Sequence, residues 1–193
     1  MTEEETLARL QELCPNDPMG QCSQALFLKF KKDCHKIFIE TGTGMGDGVS
    51  AALTAGFDTV YSIELNPELH EHCKERFQGD PRVKLILGNS LDELPKLLEE
   101  IPEPFFVFFD AHYSGGPYIG ENMKTFLPKE LASIESFSGK FKDSIIVVDD
   151  MSHWRGKDEG FVGLINELVA KLKPQGAPSY WEFPNGGCRL VSS

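Results

Sequence analysis

The 193-residue sequence lacks a long apolar run, an excess of basic residues and closely paired cysteines. No apolar segment approaches the roughly 20 residues that a membrane-spanning helix needs, so we expect no membrane partner. The net charge of −11 and the pI near 4.9 disfavour binding to a nucleic-acid backbone or to an anionic membrane surface. These absences favour a soluble protein whose partner is a small molecule.

The cysteines also argue against an extracellular protein. There are five of them, an odd number, and no Cys-x-x-Cys pair occurs. This usage favours reduced thiols over disulfides. The first residues, 1–5, are acidic where a secretory signal would be basic. We therefore expect a cytoplasmic location, and the length suits a single domain over residues 1–193.

A glycine-rich turn follows the apolar strand predicted at residues 37–40. Its glycines lie at every second position and let the backbone adopt positive φ, so that a ligand can lie against the main chain. A dinucleotide-binding fingerprint would need another glycine where the sequence has Asp47 and Val49. The turn therefore predicts either a cofactor site without the nicotinamide-enzyme spacing or a plain strand-to-helix connection. The glycines are Gly42, Gly44 and Gly46.

From Lys36 onward, apolar runs alternate with helical patterns, which is typical of a doubly wound parallel α/β sheet. Two short runs around a Pro-Asn-Gly-Gly turn add an antiparallel hairpin. A polar loop at 111–122 has the length of an active-site lid, and Pro128 is expected to open the helix after it. Residues 1–35 predict two amphipathic helices that form a cap. The predicted strands are 37–40, 59–65, 83–87, 105–109, 145–148, 179–183 and 188–191.

An acidic residue followed by the spaced glycines, here Glu40 and the turn at 42–46, resembles the first motif of the class I S-adenosylmethionine-dependent methyltransferases. Five alternating strands followed by an antiparallel pair are also similar to this family, whose sheet runs 3-2-1-4-5-7-6. The resemblance covers about residues 36–191. It implies a Rossmann-like methyltransferase sheet with helices on both faces and S-adenosylmethionine as the cofactor.

Ligands of open α/β sheets bind at the carboxyl ends of the strands, so polar residues at those ends are considered together. Glu64 ends the second strand, and its carboxylate can accept hydrogen bonds from both ribose hydroxyls, as in the family's second motif. Asn89 and Ser90 resemble the segment that contacts the adenine edge, although Ser90 could equally cap a helix. The predicted cofactor-binding residues are Glu40, Gly42, Thr43, Gly44, Gly46, Glu64, Leu65, Asn89, Ser90 and Asp110.

Three carboxylates, Asp110, Asp149 and Asp150, follow the fourth and fifth strands. Neighbouring strands lie about 4.8 Å apart, so these groups should converge and would repel one another without a cation between them. An all-oxygen set prefers Mg²⁺ or Ca²⁺. The positions resemble those of the metal-dependent O-methyltransferases of the catechol and macrolide-sugar type, which implies metal-assisted methylation of a small-molecule hydroxyl. Turn capping by Asp149 or Asp150, with Asp110 orienting the substrate, is the alternative.

The acceptor must be held in line with the sulfonium and made nucleophilic. In the catechol family a lysine three residues after the first Asp serves as the base, but Tyr113 stands there in this sequence. His112 and His153 are the candidate bases, and Asp110 completes the predicted catalytic set. A metal-independent methyltransferase and a non-catalytic cofactor-binding scaffold are the alternatives, and a homodimer is compatible with the sequence. Aromatic residues expected to wall the acceptor pocket are Tyr118 and Trp154.

Overall fold

A computed structural model describes residues 23–102, 104–112, 120–151, 154, 156–173, 179–182 and 189–192. The first helix of the predicted N-terminal cap lies outside these residues. Among the helices within them, none combines the length and the apolar character that crossing a bilayer requires.

The described chain alternates strands and helices. The strands are β1 (Ile37–Thr41), β2 (Thr59–Glu64), β3 (Val83–Leu87), β4 (Phe105–Phe109), β5 (Ile145–Val148), β6 (Ser179–Glu182) and β7 (Arg189–Ser192). The helices are α1 (Ser23–Phe30), α2 (Asp47–Thr54), α3 (Pro67–Arg76), α4 (Ser90–Glu100), α5 (Met123–Ser133) and α6 (Glu159–Leu172). A 3₁₀ helix at Glu135–Phe141 connects α5 to β5.

The strands form one sheet in the order β3-β2-β1-β4-β5-β7-β6. Strands β1 to β5 pair in parallel, which confirms the predicted order 3-2-1-4-5. Strand β7 pairs antiparallel with both β5 and β6. The strand order reverses between β1 and β4, which pair from Ile37↔Phe105 to Thr41↔Phe109. Connections leave these two strands in opposite directions, so a crevice forms beyond their carboxyl ends.

Apolar side chains cover both faces of the sheet. Every residue of β4 is buried, as expected for a central parallel strand. On one face, Phe27 of α1 packs among four other phenylalanine rings, with centroid separations between 4.7 and 6.5 Å. Helices α4, α5 and α6 contribute to the apolar layer that contains Phe105 and Phe109. The part of the expected N-terminal cap that the structure describes, α1, is therefore a core helix on a sheet face.

Asparagine side chains begin three of the helices. Asn66, Asn89 and Asn122 each accept a hydrogen bond from the backbone N–H two residues further on. Asn89 rather than Ser90 therefore caps α4. The prediction that Pro128 opens α5 is wrong, because Asn122 caps the helix upstream and Pro128 lies inside it.

Candidate functional site

A cavity of about 370 Å³ lies at the carboxyl ends of the parallel strands. This volume is within the range of small-molecule sites. Met45 and Leu65 line it and remain 41% and 38% exposed, so the cavity also offers apolar surface. The predicted cofactor residues that line it are Glu40, Gly42, Thr43, Gly44, Glu64, Leu65, Asn89, Ser90 and Asp110. The predicted metal residues Asp110, Asp149 and Asp150 also line it, together with His112.

The glycines of the turn after β1 make different packing contacts. Gly42 has φ +85°, and a Cβ there would lie 2.6 Å from the carbonyl oxygen of Asp110, so the turn packs directly on the end of β4. Gly46 has φ +88° and does not line the cavity; a Cβ there would lie 2.6 Å from the ring of Phe77. Gly46, which the sequence placed among the cofactor-binding residues, thus serves packing against the residue that follows α3.

Glu40 is buried at the base of the same turn. The Ser62 hydroxyl donates to its Oε2 atom at 2.6 Å, and the Thr43 hydroxyl lies 2.6 Å from that of Ser62. A Cβ on Gly48 would lie 1.7 Å from Glu40 Oε1, so only glycine leaves room for this carboxyl group. Burial raises the pKa of Glu40 to about 8, and the group is therefore mostly protonated at neutral pH. Sequence reasoning missed Ser62 and Gly48, whose roles depend on contacts across β1 and β2.

Glu64 joins the turn after β1 to the start of α3. Its Oε2 accepts the Gly44 N–H at 2.9 Å, and its Oε1 accepts the Asn66 N–H at 2.8 Å. A carboxylate oxygen can accept more than one hydrogen bond. Glu64 therefore orders the turn and keeps lone pairs available for further hydrogen bonds, and the predicted ribose contact stays a prediction.

Ser90 contacts a carboxyl group that the sequence reasoning did not identify. Its hydroxyl donates to Oε1 of Glu130, a residue of α5, and both side chains are buried. Burial raises the pKa of Glu130 to about 8, while the Ser90 and Thr41 hydroxyl groups act in the opposite direction. The sequence feature that could have indicated Glu130 is the position of this acidic residue between the apolar Leu127 and Leu131.

The acidic cluster differs from its prediction in one member. One donor atom from each of Asp110, His112 and Asp150 lies within 4.8 Å of the others. His112 Nε2 is 2.9 Å from Asp150 Oδ2, and His112 Nδ1 is 3.9 Å from Asp110 Oδ1. Asp149 Oδ1 instead accepts the N–H of Asp150 at 2.8 Å. The structure thus groups His112, not Asp149, with the other two residues.

Two of the remaining predicted residues, His153 and Tyr118, lie outside the described residues. The described aromatic, Trp154, donates its indole N–H to Met123 Sδ at 3.1 Å and packs on Phe161 with ring centroids 5.2 Å apart. It is not among the described residues that line the cavity, and its expected place in an acceptor pocket stays a prediction. Its indole belongs to the apolar layer beneath α6.

Known proteins are similar to this chain in fold but share little of its sequence. No family model matches the chain. A stretch of 62 residues is 39% identical to ribosomal RNA small subunit methyltransferase A from Parasynechococcus marenigrum (strain WH8102), and it covers 32% of this chain and 20% of that protein. This chain thus spans about a fifth of that curated relative.

Solved structures match over nearly the whole chain. The O-methyltransferase TomG from Streptomyces achromogenes, involved in tomaymycin synthesis and solved with S-adenosylmethionine, matches with a TM-score of 0.64 at 19% identity, over 100% of this chain and 91% of that one. An O-methyltransferase from Bacillus cereus, solved with S-adenosylhomocysteine, matches with a TM-score of 0.61 at 18% identity, over 98% and 89%. The chain therefore has the fold of class I S-adenosylmethionine-dependent methyltransferases and resembles their O-methyltransferases.

Proposed function

We propose that this protein is an S-adenosylmethionine-dependent methyltransferase that acts on a hydroxyl group of a small molecule. The observation that carries the proposal is the cavity at the switch point between β1 and β4, which the glycine turn, Glu64 and Asp110 line. Open α/β sheets bind their ligands at this position. Similar folds solved with this cofactor or its product support the choice of ligand.

The cavity residues fit the cofactor. Gly42 and Gly44 line the cavity and carry no side chain, so main-chain atoms of the turn form part of the cavity wall. Glu64 would accept hydrogen bonds from the ribose hydroxyls, and Asn89 and Ser90 would lie beside the base. When bound, S-adenosylmethionine supplies a methyl group that moves from sulfur to the acceptor oxygen, while the hydroxyl proton is released. Asp110, which also lines the cavity, would orient the acceptor.

The group formed by Asp110, His112 and Asp150 fits a divalent cation. The side chains of Asp110 and Asp150 are 37% and 42% exposed, so an ion can reach this group from solvent. Two carboxylates and one imidazole suit Mn²⁺ or Zn²⁺ as well as Mg²⁺, and they suit Ca²⁺ less well than an all-oxygen set would. A cation held there would lower the pKa of an acceptor hydroxyl. In the metal-independent alternative, Asp110 and His112 position the acceptor themselves.

Binding of Mn²⁺ to matched variants tests this metal site. Asp150→Asn should weaken Mn²⁺ binding by about tenfold or more, because a charged ligand becomes neutral. Asp149→Asn is the control: its amide oxygen can still accept the Asp150 N–H, and we expect affinity within about threefold of the wild type. The measurement is a calorimetric titration with Mn²⁺, repeated with Mg²⁺.

Equal losses of Mn²⁺ affinity in Asp150→Asn and Asp149→Asn would instead support the set of three aspartates predicted from the sequence. An absence of binding by the wild-type protein would favour the metal-independent alternative.

A small-molecule acceptor suits the charge of the protein better than RNA does. The net charge is −11, and among the described residues that line the cavity acidic side chains recur without any lysine or arginine. Such a surface repels a phosphate backbone. The similarity to a ribosomal RNA methyltransferase is confined to 62 residues. Methyl transfer from labelled S-adenosylmethionine to ribosomal RNA, but to no phenolic or alcoholic acceptor, would contradict this part of the proposal.

A further inference from the structure

The last residue of α3, Arg76, binds the glycine turn from outside the cavity. Its Nη1 donates to the carbonyl oxygen of Met45 and, at 2.9 Å, to Asp47 Oδ1, and its Nη2 donates to Ser50 Oγ at 3.0 Å. Met45 and Asp47 line the cavity, whereas Arg76 is not among the described residues that do. One guanidinium group therefore joins the turn to the start of α2.

Side chains next to Arg76 contact the same turn. Cys73 Sγ donates to the carbonyl oxygen of Gly44 at 3.4 Å, and the ring of Phe77 lies 2.6 Å from where a Cβ on Gly46 would be. The Arg76 guanidinium lies over that ring, with 5.3 Å between the guanidinium carbon and the ring centroid. The C-terminal end of α3 and Phe77 thus contact three consecutive residues of the turn.

The contacts of Arg76 differ from those of an ordinary surface ion pair. The side chains of Arg76 and Asp47 are 34% and 85% exposed, so the ion pair between them is by itself worth little. A guanidinium group is planar and has five N–H donors, so it can hold several acceptors in fixed relative positions. Two of its three partners here are uncharged oxygens, those of Met45 and Ser50. The contacts therefore fix the geometry of this segment and do more than neutralise a charge.

We propose that Arg76 is a positioning residue that holds the turn at 44–47 in its ligand-binding arrangement and thereby raises the affinity for the cofactor without contacting it. This inference rests on the proposed function, in which the glycine turn binds S-adenosylmethionine. Because Gly44 and Gly46 flank Met45 and glycine restricts the backbone least, contacts from outside the turn are needed to keep it in one arrangement. The apparent affinity falls with the fraction of molecules in the binding arrangement.

Calorimetric titration with S-adenosylhomocysteine tests the inference in matched variants. Arg76→Met removes the donors, keeps an apolar stem on Phe77, and should lower the affinity about tenfold. Arg76→Lys keeps the positive charge without the planar fork and should lower the affinity about threefold or more. Arg82→Met is the control, because Arg82 forms an ion pair with Asp80 at 2.6 Å and neither of these described residues lines the cavity. Its affinity should stay within about twofold of the wild type.

The reactivity of Cys73 reports whether the ligand-free turn opens. Cys73 is buried; burial raises the pKa of its thiol to about 11, and the positive charge of Arg76 lowers it in part. Loss of that charge would by itself make the thiol less reactive. In Arg76→Met, Cys73 should instead be alkylated about fivefold faster than in the wild type, because the turn opens more often. Mass spectrometry of the peptide that contains Cys73 measures the rate, with the exposed Cys34 as the internal reference.

A purely structural Arg76 would lower the unfolding temperature without changing ligand affinity. An unchanged affinity in Arg76→Met, an affinity of Arg76→Lys equal to that of the wild type, or an equal loss in Arg82→Met would overturn the inference while leaving the proposed function in place. Alkylation of Cys73 that is no faster in Arg76→Met than in the wild type would also overturn it. An absence of S-adenosylhomocysteine binding by the wild-type protein would overturn the proposed function and this inference together.

Discussion

Alanine at position 42 should lower the affinity for S-adenosylhomocysteine by about 100-fold or more. A Cβ on Gly42 would lie 2.6, 2.8 and 2.9 Å from the carbonyl oxygen and carbon of Asp110 and the Cα of Ala111. These are main-chain atoms that cannot rotate away, so the turn after β1 must separate from the end of β4. The turn and the end of β4, which both line the cavity, would then no longer be held in their present arrangement. The φ of +85° adds a cost of about 1 to 2 kcal/mol for any residue with a side chain.

Gly56→Ala is the matched control for Gly42→Ala. Gly56 has φ +79°, close to that of Gly42, but a Cβ there would meet nothing within 4 Å. This variant should lose about 1 to 2 kcal/mol of unfolding free energy and keep its affinity within about twofold. Calorimetric titration and thermal unfolding of both variants separate backbone strain from the main-chain clash. Equal affinities in the two variants would show that the close contact at Gly42 does not shape the site.

Glu64→Gln should also weaken binding of S-adenosylhomocysteine by about 100-fold. The two carboxylate oxygens of Glu64 accept from Gly44 and Asn66, respectively. In glutamine one oxygen becomes an NH₂ group, which would point a donor at a backbone N–H. One of the two N–H groups loses its partner, at a cost of about 1 to 3 kcal/mol, and an acceptor for the ribose is lost as well.

Glu68→Gln is the control for charge. Glu68 lies in the first turn of α3, is exposed, and loses the same negative charge on substitution. The affinity of Glu68→Gln for S-adenosylhomocysteine should stay within about twofold of the wild type, because an exposed charge is screened by solvent. Calorimetric titration at one salt concentration compares the two variants. If Glu64→Gln bound as tightly as Glu68→Gln, Glu64 would have no role in ligand binding.

Local patterns in the sequence were sufficient to predict several parallel strands. The boundaries of β3, β4 and β5 agree with the predictions, because each is a short, mostly apolar run between polar turns. The predictions were less accurate where two local signals competed. Pro128 can open a helix, but Asn122 supplies a stronger cap upstream.

The site was only partly predictable because side-chain directions depend on the turns that follow the strands. Asp150 adopts φ +53°, and Asp149 accepts the N–H of its neighbour, so spacing along the strand did not show which carboxylate meets Asp110. The pairing of Ser90 with Glu130 joins residues that lie 40 positions apart. No periodicity in a single sequence reveals such a contact.

The most direct test of the central claim is a calorimetric titration of the purified protein with S-adenosylmethionine, with NAD as the control ligand. We expect a single site with a dissociation constant on the order of micromolar, a rise in the unfolding temperature with ligand, and no binding of NAD. The acidic cavity, the glycine turn and Glu64 would then belong to a working cofactor site. An absence of both heat and stabilisation with S-adenosylmethionine would contradict the account and leave a methyltransferase fold that serves as a non-catalytic scaffold.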